Sequence, residues 1–125
     1  MVVKAPYCLA LVAGLVGCGE NASVDGPTCA DYAAPGITVT ILDFVSGQRV
    51  TSAASVVARD GAYADTGQIS VTPGLYALAY ERSGTYSVSV QVPGHRPWSL
   101  DHAVVDHDQC HVITLPLAAY VVPLP

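Results

Sequence analysis

The chain has 125 residues, 51% of them hydrophobic and 12% charged, a balance that suits one modest folded domain rather than a disordered acidic tail. Five Lys+Arg against ten Asp+Glu give a net charge of −5, so no positive cluster exists to displace phosphate counterions, and nucleic acid is excluded as a partner. The same sign repels anionic headgroups, so attachment to a membrane has to come from a lipid.

The first element is a leader. Met1 to Lys4 carries one positive charge, and Tyr7 to Val16 is apolar and uncharged, broken only by Gly14. Its length suits the helical h-region of a signal peptide and is about half the ~20 residues that a spanning helix needs. Leu15-Val16-Gly17-Cys18 then resembles a bacterial lipobox, in which small residues precede an obligatory cysteine. The resemblance implies that residues 1–17 are cut away and that Cys18 carries the lipid as the first residue of the mature protein. Two or three acyl chains, at ~0.8 kcal/mol per buried methylene, anchor a protein almost permanently. Gly19, standing where an aspartate would retain the protein at the inner membrane, points by the same analogy to the outer membrane of a Gram-negative bacterium.

Residues 18–28 continue as a polar tether with Gly26 and Pro27 and no hydrophobic period. Asn21-Ala22-Ser23 matches a glycosylation sequon, expected here to be chance. Of the four cysteines, Cys8 leaves with the leader and Cys18 is committed to lipid. Cys29 and Cys110 remain, and two cysteines in an oxidising compartment are expected to pair. The alternative, a metal pair, is poorly served by two thiols so far apart and without a C-x-x-C spacing.

Residues 29–125 are expected to form one all-β domain. Ile37, Val39 and Ile41 alternate with Thr38 and Thr40, the pattern of a half-buried strand. The apolar face switches at Leu42 to Phe44, which predicts a bulge or the strand's end. Ser46-Gly47 predicts a turn, Ala54 to Arg59 a second strand, Asp60-Gly61 a hairpin turn and Ala62 to Asp65 its return. Thr66 to Gly74 reads as irregular. Leu75 to Tyr80 alternates again, with Tyr76, Leu78 and Tyr80 on one face, and Arg82 to Gly84 turns the chain. Tyr86, Val88, Val90 and Val92 then alternate with Thr85, Ser87, Ser89 and Gln91, and Pro93-Gly94 ends the strand. Trp98 to Val105 and Cys110 to Leu117 are expected as a last pair of strands around Asp106 to Gln109. Ala118 to Pro125 should trail along an edge, because Pro123 and Pro125 cannot donate to a ladder. About seven short strands separated by Gly and Pro predict a small immunoglobulin-like or prealbumin-like β-sandwich.

Two segments, ITVTILDFVSGQRV (Ile37 to Val50) and GTYSVSVQVPGH (Gly84 to His95), resemble the carboxypeptidase regulatory-like domains, small sandwiches of transthyretin-like fold. Asp43, Gly47, Gly84, Tyr86, Val88, Val90 and Gly94 fit the positions of that family. Arg49 departs from it where a proline is common, and His95 where an aromatic is usual. The resemblance implies a domain that folds, spaces or binds rather than catalyses.

The candidate chemistry is sparse. Asp65-Thr66-Gly67 matches the catalytic triplet of aspartic proteases, but the apolar segment that would brace such a loop is missing, and the triplet is also an ordinary turn. Asp101 to His111 gathers carboxylates and imidazoles. His102, Asp106, His107 and Asp108 are the weak metal-ligand candidates, set against a solvated hairpin tip in which these groups diverge. His111, beside a cystine and alternating with Ile113, is expected to be half-buried and hydrogen-bonded. Trp98, Tyr63 and Tyr120 suit a binding surface or the core equally well. No cofactor fingerprint appears. The expected function is a lipid-anchored, non-catalytic envelope module that contacts an envelope protein or glycan. The alternative is a small periplasmic metal-binding protein using Asp101 to His111.

Overall fold

The computed structural model describes residues 28–125, so the leader, the Cys18 box and most of the tether lie outside the described residues. The domain is all-β. Eight strands run in chain order: β1 (Ile37–Asp43), β2 (Ser55–Asp60), β3 (Tyr63–Thr66), β4 (Gln68–Ile69), β5 (Leu75–Leu78), β6 (Gly84–Gln91), β7 (Trp98–Val105) and β8 (Leu115–Val121). They build two four-stranded sheets of order β4-β5-β1-β8 and β3-β2-β6-β7. Every pairing in them is antiparallel except β1 with β8, which is parallel.

The period-two patterns form the core because each sheet buries one face against the other. Ile37, Val39 and Ile41 of β1 are fully buried, while Thr38 and Thr40 point outward and stay partly exposed. Across from them, Tyr86, Val88 and Val90 of β6 are equally buried, alternating with exposed Thr85, Ser87 and Ser89. The β2–β3 hairpin closes at Asp60 opposite Tyr63, leaving Gly61-Ala62 as a two-residue loop. Gly61 takes φ +61°, the positive φ that such loops require at their first position. Gly74 has φ +82°, and a Cβ there would lie 2.7 Å from the Val50 carbonyl oxygen. That approach of two loops is open only to glycine.

Four expectations from the sequence change. The segment read as irregular holds a two-residue strand, β4, because Gln68 and Ile69 pair with Ala77 and Tyr76. Tyr80 does not share the face of Tyr76 and Leu78. Ala79 turns to φ 56° and Glu81 to φ 50°, so the strand stops at Leu78 and Tyr80 is exposed. Cys110 to Leu117 is not the hairpin partner of β7; after β7 the chain crosses to the opposite sheet, and its strand begins only at Leu115. Part of the tail expected merely to trail (Ala118 to Val121) is the body of β8, an edge strand as its proline-rich character predicted.

β7 carries an irregularity. Tyr86 faces Ala103 but Val88 faces Leu100, so Asp101 and His102 together oppose Ser87, and His102 takes φ 60°. This is a β-bulge on an edge strand.

Candidate functional site

The polar side chains gather at the two ends of the sandwich. At the end where β1 and β6 finish, Asp43 closes the turn that the sequence marks at Ser46-Gly47. Its Oδ1 accepts the N–H groups of Val45 (2.8 Å) and Ser46 (2.9 Å). Its Oδ2 lies 3.2 Å from His95 Nε2, and His95 Nδ1 lies 3.2 Å from the Pro93 carbonyl. The Ser46 N–H, and then His95, hold the Asp43 carboxyl below the usual carboxylate range. Beside this pair lies an open groove of about 560 Å³. Ala54, Val92, Pro93 and Pro97 form its apolar wall, with Ser55, Gln91 and His95 supplying the polar atoms.

The other end is where the described residues begin. Cys29 and Cys110 are joined by a disulfide, with Cα atoms 5.3 Å apart. Next to it, Glu81 Oε2 accepts the N–H of Ala34 at 2.8 Å and lies 2.6 Å from His111 Nδ1, while Oε1 accepts the N–H of Val112 at 3.3 Å. His111 Nε2 reaches the Ala30 carbonyl at 2.9 Å, and the Tyr32 ring stacks on the imidazole at 4.4 Å between centroids. The Ala34 N–H, then His111, lower the Glu81 carboxyl, and Glu81 in turn raises His111. His111 is therefore hydrogen-bonded, as the sequence suggests, but for another reason: Ile113, its supposed buried neighbour in register, is exposed.

At this same end Arg82 donates to Asp60 Oδ2 at 3.0 Å and to the Tyr86 hydroxyl at 3.1 Å, and its guanidinium sits 3.9 Å above the Tyr63 ring. The Tyr86 hydroxyl donates to the Arg82 carbonyl at 2.7 Å. Tyr63, and Trp98 at the other end of the sandwich, are half-buried against the core, whereas Tyr120 is exposed.

The metal candidates separate. His102 is exposed at the β7 bulge. Asp108 Oδ1 accepts the N–H groups of Cys110 (2.8 Å) and His111 (2.9 Å), and those two donors, His111 first, lower its carboxyl. His107 Nδ1 lies 3.1 Å from the Asp108 carbonyl. Among the described residues no group of three or more His, Cys, Asp or Glu side chains is placed to hold a metal ion. Asp65 of the Asp-Thr-Gly triplet sits on β3, where Oδ2 accepts the N–H of Ala79 at 2.7 Å. It supports a buried residue with a left-handed backbone.

Nothing local in the sequence marks Glu81, Arg82 or the Asp43–His95 contact; Asp43 and His95 are marked only by the resemblance of their segments. Comparison with known proteins finds no family model that matches the chain and no curated protein that matches it.

Proposed function

We propose that the mature protein is a lipid-anchored, non-catalytic module of the cell envelope. Cys18 carries the lipid, residues 19–28 are the tether, and the sandwich, of carboxypeptidase regulatory-like type, binds an envelope protein or glycan. The observation that carries the non-catalytic reading is the state of the two paired imidazoles. In His95 and in His111 both ring nitrogens face protein oxygens, so neither ring has a nitrogen left to move a substrate proton. The carboxylates beside them are equally occupied by backbone N–H groups. Groups spent this way set loop geometry rather than turn over substrate.

The binding surface in this reading is the groove at the far end from the tether. Seven-residue strands at about 3.3 Å per residue put that end some 20 Å from the disulfide, at the opposite end of the sandwich from Thr28. Confinement at the membrane raises the groove's effective concentration for a partner, so weak contacts suffice.

The test has two arms. Fatty-acid labelling of cells should mark the wild type and leave Cys18→Ser unlabelled; equal label on both ends the anchor. A photo-crosslinking residue at Pro97 should capture a defined envelope protein or glycan. Hydrolysis of a peptide, ester or glycoside by the pure protein, abolished by His95→Gln, would replace the binding reading with an enzymatic one.

A further inference from the structure

We propose that β8 is a self-pairing edge, through which two copies of this chain join into one continuous eight-stranded sheet. The inference goes beyond the module reading above and does not depend on the lipid anchor.

A sandwich of two open sheets has four edge strands, here β4, β8, β3 and β7. An unprotected edge is a template for another strand, so folds blunt their edges with brevity, charge or bulges. Three of the four are blunted here. β4 has two residues and β3 four, with Asp65 in the middle. β7 is long but carries the bulge, with Asp101 and His102 exposed on it. β8 has seven residues and no charged side chain, and none occurs anywhere from Val112 to Pro125. Its outward residues Pro116, Ala118 and Tyr120 stand beside Thr38, Thr40 and Leu42 of β1, so the outer face next to the edge is uncharged too. In a chain of net charge −5, this is a surface where two copies meet without like-charge repulsion.

Among the described residues, the backbone bonds show which groups have no partner. The Leu115 N–H bonds to the Gly36 carbonyl and the Val121 carbonyl accepts from Phe44, so odd-numbered residues of β8 turn their polar groups toward the β1 side. Even-numbered residues turn theirs away. At Val122 the outward side is already taken, because its carbonyl accepts the Arg96 N–H at 2.7 Å. The open stretch is therefore Pro116 to Tyr120, and its midpoint is Ala118.

That stretch is self-complementary about a two-fold axis. Antiparallel pairing puts Ala118 opposite Ala118 of the second copy, where the small side chain leaves the axis uncrowded. The two alanines exchange both hydrogen bonds. Tyr120 falls opposite Pro116 of the second copy, and its N–H meets the proline carbonyl. Proline's missing N–H forfeits only the return bond, leaving four bonds across the pair, and the tyrosine ring lies against the proline ring twice over. Arg96 blocks sliding toward Val122 and so sets the register.

Ala118→Cys in the full chain tests this. Residues that exchange both bonds in an antiparallel pair have Cα atoms about 5.5 Å apart, within the range a disulfide spans. Mild oxidation of intact cells should give a reducible homodimer on a non-reducing gel. The band should be at least tenfold stronger than for the wild type or for Ser89→Cys on the outer face of the other sheet. Adding Tyr120→Lys should remove it. Sedimentation of the otherwise unaltered protein should show mass doubling with concentration, lost in Tyr120→Lys. A monomer in both experiments, crosslinking equal to Ser89→Cys, or an Ala118→Cys adduct with a different protein overturns self-pairing. The dimer band in a Cys18→Ser background reads pairing alone, while fatty-acid label reads anchoring alone, so the two proposals fail separately.

Discussion

Replacing Cys29 and Cys110 together by serine removes a bond that spans a sequence separation of 81. In the chain-entropy treatment the bond acts on the unfolded ensemble, and closing a loop of that length is worth about 4.5 kcal/mol at 25 °C. That is a large part of the 5–15 kcal/mol by which a domain of this size is stable. At roughly 4–8 °C per kcal/mol, the midpoint of thermal unfolding should drop by ~20–35 °C. The native geometry at the junction has other supports, since Glu81 still holds Ala34 and His111 still reaches Ala30. The double variant should therefore fold, with most of the loss in a slower refolding rate. Urea unfolding of the purified mature protein, with kinetics in both directions, measures this. A loss under about 1 kcal/mol, or one carried mainly by faster unfolding, would show that constraint of the unfolded chain is not what the bond contributes.

Stability should also depend on pH with a defined sign. His111 is raised in the folded state, chiefly by Glu81, so its contribution is complete below its ordinary value of about 6.5 and is lost as pH rises through the raised one. Glu81, Asp108 and Asp43 are lowered; their contributions are present above the ordinary carboxylate range and are lost as pH falls through the lowered values. Urea midpoints should peak on the mildly acidic side of neutrality, and His111→Gln should flatten the alkaline limb, as a pH series will show. Asp65→Ala strands the buried Ala79 N–H and should cost about 1–3 kcal/mol in a urea titration, with the fold intact by circular dichroism. Tyr86→Phe removes the hydroxyl between the Arg82 carbonyl and guanidinium and should cost about 1 kcal/mol or somewhat more; a neutral result would mean water replaces it freely.

The strands were legible wherever one face is core and the other is water. β1 and β6 alternate residue by residue because each pairs on both sides within a sheet that is wet on its outer face. The position of β8 is not legible, because apolarity alone does not name a partner. Val112, Leu115 and Leu117 suit a hairpin with β7 as well as a crossover to β1, and the parallel register with Ile37 to Asp43 depends on a contact across most of the chain. Tyr80 leaves its expected face because of a left-handed turn at Ala79, which the sequence does not mark when the residue is not glycine. The two carboxylate–imidazole pairs are hidden for a similar reason. Glu81 and His111 are 30 residues apart and Asp43 and His95 are 52 apart, so no local spacing relates them. The pairing of Cys29 with Cys110 is legible only if Cys8 and Cys18 are assigned to a leader and a lipid, and those two lie outside the described residues.

The position of the disulfide also decides how the molecule bears tension. A pull applied between Thr28 and Pro125 enters at Cys29 and passes at once through sulfur to Cys110, bypassing β1 through β7. Among the described residues only the stretch after Cys110 can lengthen, which at about 3.5 Å per residue is on the order of 50 Å of extension. Without the bond the same pull could draw out nearly the whole domain, several times that distance. A load that enters at Thr28 thus meets a covalent ring at once, and most of the strands are shielded from it.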